Sequence, residues 1–538
     1  MKLKINIFGI ISILLSFQID AQQSCVWNTF LSSKKNDKIN HIRILNNEHL
    51  LISGSIEDTA KINGNAILNC TAPSGFIAEL DNSHNLIFSK VFQNVTLPSS
   101  YLYYYSFSDC KDVVKDNAGN YYVAINFSGD VLLDTVLLNA ENGMIIAKLN
   151  SFGKLLWYYT LENTIPTALL LNNNTLSVLA YSPIYLNYTP SQLILLKLNS
   201  TNGSIKKYLI GNNSFKSITS NQMIFQNNRY LLTCTFSDSI VFNNYTKIVS
   251  LGKTSAIVQL DTNLNILNFA SFTGKDNKSN VINDLEVDNV GNIYAIGTYN
   301  SNNLYIKDTL QLTKSTIASR MFMVKLNSNL QVVWTKQEAQ NPSNNASYGI
   351  REGYAIAIDN TSNAIYTLSY LFNSVILDID TLFSNSLLLS KYTFNGQYLL
   401  SEKIAGSVSK NYDLIFSNAH LYAAIPFTNT ITICQNNIVS SGLQDVYIVA
   451  LEKLTNLPNT LNSNSAIFVC PNPADDKVSF SSIVSYYQYK IYDALGREVD
   501  AGLITNNSII TQHLNDGIYL IQVFNDRIVE SFKVIIQH

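Results

Sequence analysis

Histidines, cysteines and paired carboxylates are where a chain of this size would carry chemistry, and here they are few and scattered. His41, His49, His84, His420, His513 and His538 share no common spacing, and none stands near a cysteine or serine in a nucleophile motif. HExxH, Walker and GxSxG sequences do not occur. Asp378 and Asp380 form a D-x-D pair that a strand would point to one face, as an acid/base couple requires. Their Leu/Ile-rich setting just before a turn fits an ordinary strand end instead. Asp- and Asn-rich turns offer oxygens to calcium, but without the D-x-D-x-D-G spacing that wraps the ion. The six cysteines (Cys25, Cys70, Cys110, Cys234, Cys434, Cys470) form no CxxC or Cys/His cluster, which argues against zinc. This pattern assigns no catalytic residue, no metal and no cofactor.

Binding chemistry is better provided. Phe88–Asp116 and Trp334–Asp359 are longer than their counterparts elsewhere in the chain. The first holds Tyr101, Tyr103, Tyr104 and Tyr105; the second holds Tyr348, Arg351, Glu352 and Tyr354. Exposed tyrosine with arginine is the composition of interaction hot spots and of sugar-stacking surfaces, and insertions in repeat folds collect on one face. Tyr103, Tyr104, Tyr105, Tyr348, Arg351 and Glu352 are therefore the expected binding residues. Alternating tyrosines that simply fill a sheet are the competing expectation for 101–105.

The elements that must hold these residues are written in repeats. Met321–Lys336 (MFMVKLNSNLQVVWTK) recurs as Phe76–Val91, Met144–Thr160, Leu193–Leu209, Ala256–Ser271, Leu387–Glu402 and, truncated, Val446–Leu454. Each copy is an apolar strand ending in Leu, a polar turn and a second strand carrying an aromatic, which is a β-hairpin signature. Phe88, Trp157 and Trp334 hold equivalent places. A second phrase, Asp116–Tyr122 and Asp288–Tyr294, puts a tight Asn/Gly turn before an aromatic strand. Together they predict seven four-stranded units, at 25–81, 82–150, 151–199, 200–261, 262–327, 328–392 and 393–454. The third is short and lacks the DxxGN turn, so a reduced sheet is expected there. Antiparallel units of this kind without helical periodicity predict a β-propeller; a β-solenoid is the competing architecture.

Charged residues are 14% of the chain and the formal net charge is −2, with no basic stripe to attract nucleic acid. Lys2, Lys4 and the apolar run Ile7–Leu15 read as a signal peptide over 1–21. No later run is long enough to span a membrane. In an oxidising compartment one or two disulfides are expected, Cys25, Cys70 and Cys110 being nearest in sequence; buried free thiols are the alternative.

Residues 22–454, with the DxxGN-Tyr turn and the Lys-Leu-Asn-x-x-Gly-x-x-x-Trp hairpin, resemble the seven-bladed β-propeller repeats of secreted bacterial proteins. After a Pro-containing linker at 455–466, residues 467–538 change in kind. Pro471-Asn472-Pro473, the turn Asp493-Ala494-Leu495-Gly496-Arg497, the turn ending Gly517-Ile518-Tyr519 and a terminal strand to Ile536 occur in order. This resembles the C-terminal sorting domain of the type IX secretion system of Bacteroidota. The resemblance implies a small β-sandwich, passage through the periplasm to the cell surface or beyond, and Pro471, Asn472, Pro473, Gly496, Gly517 and Tyr519 as sorting residues facing the secretion machinery. Asp-Thr/Ser-aliphatic triplets are similar to the O-glycosylation signal of such proteins, making Thr59, Thr135, Ser239, Thr309 and Thr381 candidate acceptors, unless repetition alone copied a strand start. The expected whole is an all-β, seven-bladed propeller with a C-terminal β-sandwich that binds a glycan or protein. The rivals are a polysaccharide-active hydrolase or lyase, which needs two carboxylates or a His and a carboxylate at the ring's mouth, and a passive adhesive or structural envelope protein.

Overall fold

The computed structural model describes residues 25–62, 64–66, 70, 72–95, 106–183, 191–213, 216–242, 246–314, 318–337, 349–372, 374–377, 380–383, 385–408, 412–434, 436–453, 469–480, 488–494, 496–504, 507–524 and 529–538. Among these residues the regular elements are all strands. The chain divides into a unit spanning Gln23–Leu454 and a second containing Thr455–His538.

The repeating sheet of the larger unit is an antiparallel meander of four strands, as in Asn280–Val287, Ile293–Tyr299, Arg320–Leu326 and Val332–Lys336. Each residue of the DxxGN-Tyr phrase has a task in its first turn. Asp288 Oδ1 accepts from the Val290 and Asn292 amides at 3.1 and 2.8 Å, and Oδ2 accepts from Asn292 Nδ2 at 2.8 Å and the Tyr294 hydroxyl at 3.1 Å. Gly291 supplies the positive φ (90°) the turn demands. Asp116 repeats the arrangement with Ala118, Asn120 and Tyr122.

The second turn of each sheet explains the recurring aromatic. Its fourth residue has positive φ whether it is Gly153, Gly203, Gly396, His84, Leu264 or Leu330. Where the preceding sheet offers a large ring, that residue is small or flat. A Cβ on Gly203 would lie 2.7 Å from Trp157, and one on Gly396 3.3 Å from Trp334; His84 stacks on Trp27 at 3.7 Å. Trp157 Nε1 then donates to Ser200 O and Trp334 Nε1 to Phe394 O, both at 3.1 Å. The ring is thus a fastener between successive sheets. Where the preceding sheet has Lys207 or Asn268 opposite its third strand instead of a ring, buried Leu264 or Leu330 fills the place.

The truncated copy Val446–Leu454 is completed from the other end of the chain. Cys25–Ser32 pairs antiparallel with Asp445–Leu451, setting Trp27 opposite Ala450 as Trp334 stands opposite Lys325. Sequence units and sheets are consequently offset by one strand, so the expected boundaries (25–81 and onward) cut each sheet before its outermost strand. The third sheet is not reduced: Ile165–Asn172, Thr175–Ser182, Ser191–Asn199 and Ile205–Asn213 make its four strands. Antiparallel pairing within every sheet, closed by the N-terminal strand, excludes the solenoid and defines a propeller-like ring.

Cores lie between sheets. One joins Ile52, Phe76 and Ala78 of the first sheet to Tyr422, Ile448 and Ala450 of the last, and each buried large apolar side chain contributes about 1.5–3 kcal/mol. Hairpins sent out between second and third strands reach back to the previous sheet's outermost strand, as in Asn94↔Val131, Gly211↔Phe242, Phe272↔Ile306 and Ala405↔Thr432. One of them carries Cys434, which is disulfide-bonded to Cys25, 409 residues away. Cys70, Cys110 and Cys234 are buried free thiols. The expectation that Cys25 pairs with Cys70 or Cys110 fails because its strand is the outermost of the last sheet, which brings Cys25 beside Cys434.

The C-terminal unit has a three-stranded sheet (Val469–Cys470, Lys477–Phe480, Ser508–Ile510) and a four-stranded one (Glu498–Leu503, Gln488–Tyr492, Gly517–Phe524, Val529–Ile536). Val478, Ile509, Ile491, Ile521, Val523 and Val534 of the two sheets share one core.

Candidate ligand-binding site at the central opening

The first strand of each sheet is its innermost: Asp37–Ile44, Phe107–Lys115, Ile165–Asn172, Ile218–Gln226, Asn280–Val287, Gly349–Asp359 and Asp413–Ser417. Each packs against the next, and the last returns to the first, so they enclose a central opening. Pairing with the second strand slips at one depth in these strands, between Ile39/His41, Cys110/Asp112, Pro166/Ala168, Ser220/Met223, Ile282/Asp284 and Gly353/Ala355. A bulge of this kind re-aims a side chain. The residues turned out of register are Asn40, Lys111, Thr167, Asn221, Asn283 and Tyr354, with Tyr412 at the matching place before Asp413. All are half-buried, between strands whose other residues form the core.

At four of these places the next residue ties the ring together. Asp112, Gln222, Asp284 and Asp413 accept the backbone N–H of the next inner strand, from Leu169 (2.7 Å), Leu285 (2.8 Å), Ile356 (2.8 Å) and Ile42 (2.7 Å). Asn40, Asn221 and Asn283 donate Nδ2 to the Cys110, Ile282 and Gly353 carbonyls at 2.8, 2.8 and 2.6 Å.

Electrostatics at this depth are dense. Arg43 grips buried Asp112 through Nε and Nη2 at 3.1 and 2.6 Å, and although burial opposes ionisation, this pairing holds the Asp112 carboxyl below its ordinary range. His41 Nδ1 lies 3.2 Å from Asp413 Oδ2; burial pulls the imidazolium down, but the Asp112 and Asp413 charges outweigh it and push His41 up to about 8. Burial pushes Asp284 up to about 7, and burial with the neighbouring Asp284 charge pushes Glu286 up to about 8. A His and carboxylates do converge here, as a hydrolase would need. The oxygens of Asp112, Asp284 and Asp413, however, already accept backbone N–H groups from their own and the next strand.

At the rim where the inner strands begin, Lys38 and Lys111 flank Asp109 at 3.2 and 2.5 Å. On the last two inner strands, Tyr354 and Tyr412 stack with centroids 4.5 Å apart. Burial and then the Glu352 charge raise both hydroxyls, which stay neutral, and Tyr354 hydrogen-bonds to Glu352. The Tyr412 hydroxyl and Arg351 Nε are buried without a partner among the described residues. The Arg351 guanidinium lies 3.7 Å from the Phe372 ring centroid.

Of the residues expected from sequence, Arg351 and Glu352 fall at this rim. Tyr103, Tyr104, Tyr105 and Tyr348 lie outside the described residues, as does Asp378. Asp380 opens a hairpin strand opposite Leu377, apart from the inner strands. Thr135 and Thr309 are exposed beside hairpin tips at Asp134 and Lys307-Asp308. Ser239 follows a register shift at Asp238, Thr59 precedes the strand Lys61–Ile62, and Thr381 sits in the strand Asp380–Phe383. Of the bulged residues only Tyr354 lay in an insertion singled out from sequence, and the others were missed. A signal existed: His41, Asp112, Gln222, Asp284 and Asp413 each stand four positions before a tight turn, and Ile39-Asn40-His41-Ile42 echoes Ile282-Asn283-Asp284-Leu285.

In the C-terminal unit the sorting residues gather on two features. Asn472 precedes a cis proline, Pro473, and holds the last strand through Lys533 O (3.0 Å) and the Ile535 amide (2.9 Å); Pro471 is exposed beside it. Gly496 and Tyr519, from the two motif turns, line one cleft of about 570 Å³ with Tyr492, Ile518 and Lys533; Gly517 opens the strand that carries Tyr519.

The larger unit is thus an all-β ring of propeller-like class. Residues 468–537 match the family described as the secretion system C-terminal sorting domain. That match marks the protein as exported, to the cell surface or beyond it. No helix among the described residues is long and apolar enough to cross a membrane. No curated protein matches the chain. Among solved structures, it is similar to quinohemoprotein alcohol dehydrogenase from Comamonas testosteroni (9% identity, 83% of this chain and 80% of that one, TM-score 0.35). It is also similar to PorZ, a surface component of the type-IX secretion system of Porphyromonas gingivalis (10% identity, 93% and 87% covered, TM-score 0.24).

Proposed function

We propose that this protein is a seven-bladed β-propeller over 22–454 that binds a glycan or protein outside the cell and performs no chemistry. In this reading a signal peptide (1–21) starts export, 455–466 is a linker, and a β-sandwich at 467–538 is handled by the type IX machinery of a Bacteroidota cell. Thr59, Thr135, Ser239, Thr309 and Thr381 are O-glycosylation sites on its peripheral hairpins. The observation that carries the binding role is the difference between the two ends of the ring. Turns from first to second strand and from third to fourth are tight, as at Asp288–Asn292 and Asn327–Gln331. Among the described residues, the hairpins sent out between second and third strands, and the starts of the inner strands where the bulged residues open, lie at the other end. Binding at that rim, and not acid/base chemistry below it, is favoured because Asp112, Asp284 and Asp413 are engaged in holding sheet to sheet.

Two experiments test this. A chain lacking 467–538 is expected to stay inside the cell, whereas its appearance in the medium or on the surface defeats the sorting role. Glycan and protein arrays probed with the full mature chain are expected to show a specific ligand; silence on both, with hydrolysis of a polysaccharide, refutes the binding role.

A further inference from the structure

We infer that a divalent cation, calcium by its chemistry, binds where the last sheet meets the first, held by Asp37 and Asp445. Asp37 begins the innermost strand of the first sheet, and Asp445 begins the third strand of the last. Both are fully buried. Neither oxygen of Asp37, nor Oδ1 of Asp445, has a hydrogen bond of normal geometry among the described residues. Three other joints between a third strand and the next inner strand are filled differently. There a serine hydroxyl accepts an amide across the gap, Ser108 from Gly75 (2.8 Å), Ser191 from Ile218 (2.9 Å) and Ser255 from Ile282 (2.9 Å). The closing joint puts two carboxylates where one neutral hydroxyl serves elsewhere.

The segments that carry them are locked together. The Asp37 amide donates to Gln444 O at 2.8 Å, and Gln444 Nε2 donates to Asp37 O at 3.0 Å. Gly442 lets its turn lie against 33–35, since a Cβ there would come within 2.4 Å of Ser33 O. Asp445 Oδ2 accepts the Ser441 amide at 2.6 Å, which leaves Oδ1 over. Burial, then the Asp445 and Glu57 charges, push Asp37 up to about 8 against the pull of the nearby Ser33 hydroxyl; burial raises Asp445 as well. Buried carboxylates in this state lack a countercharge. The donors at hand are carboxylates, the Ser33 hydroxyl and backbone carbonyls, and the nearby Cys70 thiol is turned to the Ile56 and Asp58 carbonyls. A hard, all-oxygen set suits calcium, which takes about six to eight oxygens with water completing the shell, and not zinc. The ion fastens the first sheet to the last beside the strand Cys25–Ser32. Calcium is plentiful outside the cell and scarce in the cytoplasm, so the fastening is made on export.

The test uses the full mature chain, stripped with EGTA at neutral pH, in titration calorimetry, thermal unfolding and amide exchange with calcium chloride, and magnesium chloride for comparison. Asp37→Asn and Asp445→Asn remove charge and keep shape; Asp81→Asn, in an exposed turn, is the control. The expected result is one calcium per chain, with a dissociation constant of about 10⁻³ M or tighter. Calcium should raise the melting temperature and slow amide exchange at 35–37 and 443–445. Binding should weaken about tenfold or more in the Asp37 and Asp445 variants and stay unchanged in Asp81→Asn. The exchange map needs only wild type, so it decides the matter if neither variant folds. Calcium binding that leaves those amides unprotected, or that both folded variants retain, overturns the site, and a response to magnesium alone overturns the choice of ion. No response to either ion, with folded variants more stable than wild type, replaces the metal by a proton shared between the two carboxyls; no response without that gain overturns the site outright.

Discussion

Replacing Cys434 by Ser tests how the ring is closed. The Cys25–Cys434 bridge closes a loop of 409 residues. In the chain-entropy description this restricts the unfolded state by 2.1 + 1.5R ln n cal/mol/K, about 20 cal/mol/K for such a loop, or about 6 kcal/mol at 25 °C. Bridges rarely deliver more than about 5 kcal/mol, so Cys434→Ser should cost about 4–5 kcal/mol. The loss should appear first where the bridge acts. The strand Cys25–Ser32 is held to its sheet by one ladder, to Asp445–Leu451, with a short contact from Leu31–Ser32 to Lys61–Ile62. Amide exchange of Thr29–Leu31 in the variant should rise by about a thousandfold, ahead of the neighbouring strands, and the Trp27 fluorescence transition should separate from that of Trp157 and Trp334 in a denaturant titration. Reduced wild type should match the variant. If wild type, reduced wild type and variant unfold at one midpoint with the three tryptophans together, the bridge does not close the ring and the reasoning fails.

Gly203→Val forces a side chain to within 2.7 Å of Trp157 at a φ of 73°; it should destabilise by about 2–4 kcal/mol, read by thermal unfolding, whereas Gly64→Ala, with open space around it, should cost about 1. Asp112→Ala strands Arg43 and two backbone amides and should cost about 3–5 kcal/mol, while Asp81→Ala, in an exposed turn, should stay near 1. His41 is raised to about 8 in the folded protein, so its contribution is fully present below its ordinary value near 6.5 and is lost as pH rises through 8. Asp284 and Glu286, raised to about 7 and 8, favour their neutral forms and act in the same direction. The melting temperature should therefore fall between pH 6 and pH 9, and His41→Asn should flatten the upper part of that fall; a rise over this range contradicts the arrangement.

The all-β ring and its hairpins were legible in the sequence because a period-two pattern and tight Asn/Gly turns were each written several times over. Their boundaries were misplaced by one strand, since nothing local in Cys25–Ser32 reveals that its partner is Asp445–Leu451. The disulfide was misjudged for the same reason. Arg351 and Glu352 stood out by composition and do reach the rim, but Asn40, Asn221 and Asn283 are unremarkable residues in an Asn-rich chain. Their role depends on a register slip that only pairing with a second strand creates, so the site was visible in the sequence only as the spacing of its supporting residue, four positions ahead of a turn.

The offset between repeat and sheet also dictates an order of events. A chain emerging amino-terminus first releases Cys25–Ser32 long before Asp413–Leu451 exists to receive it. The most distant contact in the ring is therefore made last, after the other sheets have stacked, and closure is the slow, high-contact-order step of folding. Until then the last sheet lacks its outer edge and the first strand lacks a home. Two such chains refolding at high concentration are expected to satisfy each other's ends, giving a strand-exchanged dimer that size-exclusion chromatography would detect.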